Sequence, residues 1–374
     1  MFLRSIEAVE FRNLYGSISC GSGLNIFHGN NAQGKTNWLE AIYLLAHARS
    51  FRTHHLKDTV KFGEHCGAVK GVVNCGNSLE RQLQINIQGT TKQTLINEKR
   101  EPISRYAAHL YAVCFTADEL QVIRGGPDAR RDFLDRGAVS LHPAYAQTIA
   151  DYNKVIKQKR RLLHHAAESR LRLAQLAEQI EPWNQQLVAL ASKIHRARLR
   201  YVDLLNQALD HNLFNDDVSI RYVSSLEAKG DLSDYEGLIT SRLESRMDAE
   251  MFAGACLIGP HRDDLLVLFG GRDIRSFGSS GQQRSALITL DLAAISVYYS
   301  EHRNYPIFLI DDVHAELDGT RINRLLEYLD GRTQTFITTS KRNHVERFER
   351  RAHFYEVCGG MPTPDYPVSL AAVS

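Results

Sequence analysis

The stretch HGNNAQGKTNWLEA, residues 28–41, carries the most specific pattern in the chain. Its spacing Gly29-x4-Gly34-Lys35-Thr36 matches the phosphate-binding P-loop. The flanks fit that motif, because LNIF (24–27) is typical of a buried strand and WLEAIYLLAHA (38–48) of a helix. Glycines let the backbone approach phosphates without a Cβ, and the positive end of the following helix attracts anions. The pattern predicts a nucleoside triphosphate site; the alternative is a glycine turn without a ligand.

The motif assigns a role to each polar position. Lys35 is expected to reach the β- and γ-phosphates, and the Thr36 hydroxyl to ligate Mg²⁺. ATP and Mg²⁺ are therefore the predicted cofactors. The nucleotide-lining residues predicted from the loop and the first helical turn are Gly29, Asn30, Asn31, Ala32, Gln33, Gly34, Lys35, Thr36 and Asn37.

Composition excludes several classes of protein. The chain has 374 residues, 43% apolar and 24% charged, which is a globular balance rather than a disordered or fibrous one. Its formal charge is only +2, so nucleic-acid affinity would have to come from local basic patches. The six cysteines are scattered, without a C-x-x-C pair, and no apolar run has membrane-spanning length. We expect a cytoplasmic protein without a membrane partner.

The composition and hydrophobic pattern of the sequence change twice along the chain. Residues before about 115 alternate strand-like segments, such as VKGVV (69–73) and LQINI (83–87), with turn signals. From about 130 to 213 the chain is rich in Ala, Leu, Gln, Arg and Glu, and strand-like runs vanish. Strand-like texture returns from about 250. We therefore predict a discontinuous nucleotide-binding head over 1–118 and 241–374, with an inserted helical lobe over 119–240.

The helical lobe carries two apolar stripes. Pro182 followed by Trp183 suits the first turn of a helix, whose seam repeats at steps of three and four through Leu187, Leu190, Ile194, Ala197, Tyr201, Leu204 and Ala208. The preceding segment, 145–180, has a similar stripe at Ile149, Tyr152, Ile156 and Leu163. The two helices are predicted to pair antiparallel as a short arm.

A second candidate for the nucleotide site is FLIDD, residues 308–312. Four apolar residues lead into two carboxylates, as expected for a strand whose carboxyl end faces the phosphates of an α/β sheet. Asp311 is predicted to hold Mg²⁺ together with Thr36, and Asp312 to polarise the attacking water. Asp312 and Lys35 are thus the predicted catalytic residues.

FGSSGQQRSALITLDLA, residues 277–293, places a serine and glycine turn at the start of a helix. Such a turn is an anion site, and Ser279, Gly281 and Gln282 are the candidate contacts. The alternative is an ordinary helix cap with Ser279 or Ser280 as the N-cap residue.

The order of these motifs resembles the ATPase head shared by ATP-binding cassettes and SMC proteins, and within that group the RecF family of bacterial recombination mediators. Blocks similar to that family run through most of the chain: FRNL (11–14), GKTNWLEAIY (34–43), RGGPDARRDFLD (124–135), YNKVIKQKRRLL (152–163), IGPHRDDL (258–265), SSGQQRSA (279–286) and LIDDVHAELDGTRINRLL (309–326). The implied fold is α/β, a P-loop ABC/SMC-type ATPase head with an inserted antiparallel helix arm.

The resemblance implies further site residues and partners. Ser279 to Gln282 would be the signature turn, Asp318 the D-loop residue, and Arg12 and Asn13 nucleotide contacts. RecF-like proteins form an ATP-dependent homodimer that sandwiches two nucleotides, bind DNA in the ATP state, and help RecO and RecR place RecA on single-stranded gaps near duplex junctions. Asp312 stands where cassettes have Glu, and Thr339 where they have His, which implies slow hydrolysis used as a switch.

DNA contacts are less specified. Lys154, Lys157, Arg160 and Arg161 form the candidate DNA-binding set on the first arm helix, with Lys159 beside them and Lys193, Arg196, Arg198 and Arg200 on the second helix. A solvated helix face with intrahelical pairs is the alternative. Arg130 and Arg131 either contact DNA phosphates or serve as structural charges near the domain junction. The block His261-Arg262-Asp263-Asp264 favours a local hydrogen-bond network over a metal or nuclease site.

Three other functions compete with the RecF-like one. A transporter cassette needs a membrane partner, an SMC-type structural protein needs a far longer arm, and a P-loop kinase has no use for SSGQQ. An SMC-like or cassette-type ATPase with another partner remains the alternative.

Overall fold

The computed structural model describes residues 2–75, 79–168, 173–210, 213–214, 216–313, 319–340, 342, 345, 348 and 351–365. The chain forms two compact units. The first comprises Met1–Gln121, Ala208–Asp217 and Phe277–Ser374, and the second Val122–Gln207 and Val218–Ser276. The first unit is thus assembled from three separate parts of the sequence.

The first unit contains two six-stranded sheets. The antiparallel sheet has the order β2-β1-β4-β5-β6-β7, and its strands are β1 (Phe2–Phe11), β2 (Leu14–Ser19), β4 (Cys66–Asn74), β5 (Glu80–Gln88), β6 (Thr91–Ile96) and β7 (Lys99–Arg100). The second sheet has the order β15-β14-β3-β13-β12-β8, and its strands are β3 (Leu24–His28), β8 (Ala112–Phe115), β12 (Ile307–Ile310), β13 (Thr335–Thr339), β14 (Ala352–Cys358) and β15 (Met361–Pro364). Its strands pair in parallel except for β15, which is antiparallel to β14.

Helix α1 (Lys35–His47) is the centre of the first unit. It contacts strands of both sheets, including β4 and β5 on one side and β12 and β13 on the other. For this reason most of its residues are buried, and it lacks the polar face of a surface helix. The other helices of this unit are α2 (Ile103–Tyr106), α10 (Ser280–His302), α11 (Gly319–Leu329) and a 3₁₀ turn at Leu56–Thr59.

The second unit is mainly helical. Its helices are α3 (Gln121–Arg124) and α9 (Ile274–Phe277), at the unit boundaries, and α4 (Pro127–Leu141), α5 (Tyr145–Glu168), α6 (Leu173–Ala208), α7 (Tyr235–Ser245) and α8 (Met247–Ala253). Short 3₁₀ turns lie at Glu227–Lys229, Leu232–Asp234 and Pro260–Arg262. A small sheet has the order β11-β10-β9, formed by β9 (Val218–Val223), β10 (Asp264–Phe269) and β11 (Arg272–Asp273).

The unit boundaries differ from those expected from sequence texture. Residues 241–276, which we expected in the head, lie in the second unit. The cause is strand pairing: β10 aligns antiparallel with β9 from Asp264 opposite Val223 to Phe269 opposite Val218. A pairing between strands about forty residues apart leaves no local signal that a change in composition would reveal.

Helices α5 and α6 pair antiparallel. Leu163 and Ala166, near the end of α5, share one buried cluster with Leu176 and Ile180, near the start of α6. Tyr152, earlier in α5, shares a second cluster with Ile194, later in α6. The predicted helix start at Pro182 is wrong, because Pro182 lies inside α6. The helix continues past the missing N–H because buried side chains on both sides of Pro182, at Ile180 and Leu187, anchor it.

None of the helices in the described part of the chain combines the length and apolar composition needed to cross a membrane.

Candidate nucleotide-binding site

The P-loop lies where β3 meets α1. Gly29 and Gly34 have φ angles of 134° and 104°, in the region that favours glycine. A Cβ at Gly29 would lie 2.7 Å from the carbonyl oxygen of Val357, and one at Gly34 would lie 3.0 Å from Oδ1 of Asn13. Conformation and space therefore both require glycine at these positions, as the motif predicts.

A turn from the far end of the chain holds the loop in place. The backbone N–H of Gly360, between β14 and β15, donates to the carbonyl oxygen of Gln33 at 2.8 Å. The N–H of Gly359 donates to Oε1 of Gln33 at 2.7 Å, and Nε1 of Trp38 donates to the carbonyl oxygen of Gly360 at 3.1 Å. The β14–β15 turn thus fixes both the loop and the first turn of α1.

The Lys35 ammonium is held inside the loop. Nζ donates to the carbonyl oxygens of Gly29 and Asn30, both at 2.7 Å, and the side chain is largely buried. Burial lowers the pKa of Lys35, while the carboxylates of Asp312 and Asp311 oppose that shift. The loop therefore positions one cation at the mouth of a cradle of backbone groups.

Thr36 and Asp311 meet directly. Oγ1 of Thr36 donates to Oδ1 of Asp311 at 2.8 Å, and Oγ1 of Thr338, on β13, donates to the same oxygen at 2.6 Å. Burial raises the pKa of Asp311 and the neighbouring Asp312 raises it further, while the two hydroxyl donors and Arg52 oppose this. The structure brings together the two residues that the sequence predicts as Mg²⁺ ligands, from α1 and from the end of β12.

Asp312 has an unusual backbone conformation. Its φ is 43°, which is uncommon outside glycine and is tolerated best by Asp and Asn. Its N–H donates to Oγ1 of Thr338 at 2.7 Å, which holds the residue in that conformation, and its side chain is exposed. Thr338 therefore holds the Asp311 carboxylate and the Asp312 backbone at this end of the sheet.

Arg12 and Asn13 lie on the other side of the loop. The Arg12 guanidinium forms a bidentate pair with the buried Glu40, with Nε 3.0 Å and Nη2 2.8 Å from its carboxylate oxygens, and also donates to the carbonyl oxygen of Asp58. Asn13 accepts from Nδ2 of Asn37 at 2.7 Å. The Arg12 guanidinium is therefore already engaged with α1, and its nucleotide contact stays a prediction.

The signature turn lies at the start of α10. Ser279 is its N-cap residue, and it exchanges hydrogen bonds with Gln282 in a capping box. Ser279, Ser280 and Gly281 are exposed, as is the ring of Phe277 just before them. Ser279 therefore does act as an ordinary helix cap, as the alternative interpretation expects. The exposed surface of the turn nevertheless stays accessible to a ligand or a second chain. Asp318, the predicted D-loop residue, lies outside the described residues.

The donor set fits ATP and Mg²⁺. The glycines let the loop backbone pack closely against Val357 and Asn13, and the Lys35 ammonium lies on the carbonyl oxygens of that loop. Mg²⁺ in nucleotide sites commonly takes one or two carboxylates plus phosphate oxygens, and the Thr36 and Asp311 pair offers one carboxylate and one hydroxyl. The described residues contain no group of three or more His, Cys, Asp or Glu side chains arranged for a metal, so a Mg²⁺ ion here would depend on phosphate oxygens for further ligands.

The candidate DNA-binding residues form an exposed face of α5. Lys154, Lys157, Arg160 and Arg161 are all exposed, and Lys154 also pairs with Asp151 at 3.0 Å. Two neighbours suggested from sequence are not available. Lys159 is fully buried in an ion pair with Glu250 at 2.7 Å, and the buried Arg198 forms a bidentate pair with Asp135. Helical periodicity turns these two cations inward.

The block at 261–264 forms a hydrogen-bond network within the second unit. Nδ1 of His261 lies 2.7 Å from the Tyr152 hydroxyl, and Nε2 lies 3.1 Å from the carbonyl oxygen of Cys256. Burial lowers the pKa of His261 to about 4, so the ring is neutral near pH 7. Asp263 accepts from the Tyr222 hydroxyl and from the N–H of Ser225. The network interpretation therefore holds here.

Arg130 and Arg131 bind to this network. Arg130 is buried and bidentate on Asp264, at 2.6 and 2.9 Å, and donates a third hydrogen bond to the carbonyl oxygen of Gly125. Arg131 donates to the carbonyl oxygen of Asp263 at 2.7 Å. Of the two interpretations, the structure favours structural charges.

Sequence reasoning missed four features of the site: Thr338, Glu40, Arg52 and the Gly359–Gly360 turn. Glu40 had a signal, since it is the one charged residue in the apolar run WLEAIYLLA. Arg52 donates to Oδ1 of Asn37 at 2.8 Å, which places a second cation beside the first turn of α1. Thr338 and the turn had no local signal, because their partners lie far away in the sequence.

Comparisons with known proteins agree with this geometry. A family model described as "RecF/RecN/SMC N terminal domain" matches residues 2–362. The "DNA replication and repair protein RecF" of Geobacillus kaustophilus is 32% identical over 374 residues, covering 97% of this chain and 99% of that protein. The chain belongs to the RecF family. A protein of the same name from Bacillus cereus is 34% identical, covering 92% and 94%.

Solved structures confirm the predicted fold. One described as the recombination mediator protein RecF-ATP in the RecFOR pathway superposes with a TM-score of 0.87 at 26% identity, covering 97% of each chain. A second, described as RecF-ATPrS, also gives 0.87, at 27% identity. The Smc head of Pyrococcus furiosus shares the fold, with a TM-score of 0.54 at 14% identity. The fold is an ABC/SMC-type ATPase head with an inserted helical lobe.

Proposed function

We propose that this protein is a slow ATPase whose ATP-bound state dimerises and binds DNA in recombinational repair. The contact between Thr36 and Asp311, beside Lys35, carries the nucleotide part of the proposal. It joins α1 to the end of β12 and brings a hydroxyl, a carboxylate and an ammonium to one cradle. No such arrangement is needed for a glycine turn without a ligand.

The roles follow from where the groups lie. The Lys35 ammonium and the loop N–H groups bind the β- and γ-phosphates; Thr36 and Asp311 would hold Mg²⁺, which would neutralise phosphate charge when bound. The exposed Asp312 carboxylate orients the attacking water and accepts its proton. Thr339 is fully buried at the end of β13 and offers no imidazole near the water, which supports slow hydrolysis.

Dimerisation follows from the incomplete site. The P-loop cradle is built by its own chain, whereas Ser279, Ser280 and Gly281 are exposed at the start of α10, where the first N–H groups of a helix have no acceptor four residues earlier in it. In a head-to-head homodimer, this turn of one chain covers the γ-phosphate at the Lys35 of its partner. ATP is then the bridge between the two chains.

The pathway is proposed from the family. We place the protein with RecO and RecR at single-stranded gaps and their duplex junctions, where it helps to load RecA and so supports replication restart and the SOS response. The exposed cationic face of α5 supports phosphate contacts that do not read bases. Solved RecF structures with ATP in their descriptions support the nucleotide.

The direct test measures DNA binding against nucleotide state. Fluorescence anisotropy with gapped, duplex and single-stranded DNA should show the tightest binding to gapped DNA, and only with ATP. Equal binding without nucleotide, or no binding to any DNA, would contradict the proposal. The control is ADP at the same concentration, which lacks the bridging γ-phosphate.

A second test addresses the α5 face. The triple change Lys157→Ala, Arg160→Ala and Arg161→Ala should reduce the salt dependence of DNA binding, log K against log[salt], by about 1 per lost phosphate contact. The matched control removes three exposed cations elsewhere in the second unit: Arg221→Ala, Lys229→Ala and Arg246→Ala. If the slope of log K against log[salt] is the same in both triples, the α5 face does not contact DNA phosphates and is only a solvated helix face.

A further inference from the structure

A basic pocket lies on the antiparallel sheet of the first unit and belongs to none of the sites above. It has a volume of about 500 Å³ and is lined by Arg81, Ile96, Asn97, Lys99, Glu101, Arg105 and His109. These residues come from β5, from the end of β6 and the turn after it, from β7, and from α2 and the residues flanking it. That size suits a small ligand or one group of a larger one.

Positive charge converges on this pocket. Its lining contains two arginines and one lysine but a single carboxylate, Glu101, which pairs with Arg105 at 3.4 Å. The Arg81 guanidinium donates instead to Nδ1 of His109 at 2.5 Å. Burial, Arg81 and Arg105 all lower the pKa of His109, which keeps the ring neutral and able to accept that bond. Three cations against one carboxylate leave the lining with a net positive charge, which attracts an anion.

Protection of a sheet edge does not explain the whole arrangement. Charges on the two-residue edge strand β7 can block pairing with another chain, which accounts for Lys99 and its neighbour Arg100. Arg81 is on β5, two strands in from that edge, and Arg105 is on α2. These two side chains reach the same pocket from elements that have no edge to protect.

The pocket also presents neutral donors. Oδ1 of Asn97 accepts from the N–H of Gln82 at 2.9 Å, which leaves the Asn97 amide N–H groups to donate elsewhere. His109 accepts at Nδ1, so its proton is on Nε2 and is available as a donor. Arginine forks, an ammonium and neutral N–H groups together form a donor set suited to tetrahedral oxyanions.

We propose that the pocket formed by Arg81, Asn97, Lys99, Arg105 and His109 binds a phosphate group. That group belongs either to a DNA backbone or to a free phosphate ion; the DNA source rests on the proposed function, whereas the phosphate site does not. On DNA, the pocket fixes one backbone position on the head, in addition to the cationic face of α5.

The test compares two triple variants with equal loss of charge. The pocket triple is Arg81→Ala, Lys99→Ala and Arg105→Ala. The control triple is Arg4→Ala, Lys61→Ala and Lys70→Ala, which removes three cations of the same unit that already pair with Glu80, Glu10 and Glu7. Both are made in the full chain, and thermal unfolding monitors their folding. If the pocket triple does not fold, Arg81→Gln replaces it, because glutamine keeps a donor but loses the charge and the fork.

The first measurement is pyrophosphate binding by calorimetry in a Lys35→Ala background, which suppresses the contribution of the P-loop. We expect the pocket triple to bind at least about 10-fold more weakly than the control triple, because charge-assisted hydrogen bonds are lost. Equal pyrophosphate affinity in the two triples would overturn the proposal. The comparison is between variants in one background, so it stands even if the P-loop assignment fails.

The second measurement separates the two sources. This measurement is made with Lys35 intact and ATP present. If the bound phosphate is in DNA, the slope of log K against log[salt] for gapped-DNA binding should be shallower by about 1 in the pocket triple than in the control triple. Weaker pyrophosphate binding with an unchanged DNA slope supports the site with free phosphate as its ligand. Neither triple changes a residue of the proposed nucleotide site, so ATP affinity, measured with Lys35 intact, serves as a common control.

Discussion

The two halves of the proposed ATP site are built in opposite ways. The P-loop half is assembled by its own chain: the loop is clamped by the β14–β15 turn, Lys35 lies on loop carbonyls, and Asp311 is held by two hydroxyls. The signature half has three exposed residues, Ser279 to Gly281, and its side-chain hydrogen bonds lie within its own capping box with Gln282.

The difference reflects the separate requirements of the two halves. A cradle for a highly charged ligand must be preorganised, because reorganising it on binding would cost affinity. A surface that closes over a ligand held by another chain must stay open until that chain arrives. The contrast therefore predicts that damage to the P-loop acts on the chain that carries it, while damage to the signature turn acts on its partner.

Loss of the Lys35 ammonium should produce the largest effect. Lys35→Ala is expected to weaken ATP binding by about 100-fold or more, since charge-assisted bonds contribute about 1.5–3 kcal/mol each. Calorimetry with ATP and Mg²⁺ measures it, and Lys57→Ala, an exposed lysine in the 3₁₀ turn at Leu56–Thr59, is the control. Equal affinity in Lys35→Ala and the parent would refute the P-loop half of the comparison.

Asp312→Asn should separate binding from hydrolysis. The amide cannot accept a proton from water, so turnover is expected to fall by about 10²-fold, while ATP and Mg²⁺ still bind through Lys35, Thr36 and Asp311. Single-turnover hydrolysis and ATP calorimetry give the two quantities. If turnover is unchanged, the general base lies elsewhere.

A mixture of two disabled proteins tests whether the halves come from different chains. Lys35→Ala removes the cation from the P-loop half, and Ser279→Arg blocks the signature half. In a heterodimer of the two, one site carries both defects and the other carries neither. ATP-dependent dimerisation, measured by light scattering, should recover in part, limited by the mixed fraction. A mixture no better than either variant alone, with both folded, would exclude the head-to-head arrangement.

The smallest effect on ATP affinity should come from weakening the contact between the P-loop and the β14–β15 turn. Gln33→Ala removes the acceptor for the Gly359 N–H but keeps the backbone bond to Gly360. One lost hydrogen bond corresponds to about 1 kcal/mol, or a roughly five-fold lower ATP affinity. Gln93→Ala, on the exposed side of β6, is the control. An unchanged affinity would show that the backbone bond alone positions the loop.

Features of this protein that depend on contiguous residues could be predicted from the sequence. The glycine spacing, the lysine and threonine after it, and the apolar run into Asp311 and Asp312 are contiguous, so they identified the loop, its helix and the strand end. The order and content of the RecF-like blocks were sufficient for the family and the fold, which the comparisons confirm.

Tertiary structure decided what depends on distant partners. Periodicity gave the apolar stripe of α5 but did not show that Lys159 turns inward to Glu250, because the partner lies about ninety residues away. The change in composition located the helical lobe but not its C-terminal boundary, because the pairing of β9 with β10 is set by the tertiary structure. Thr338, the β14–β15 turn and the Arg81 pocket likewise have no local signature. Long-range hydrogen bonds and charge pairs are set by chain topology, which a window of neighbouring residues does not contain.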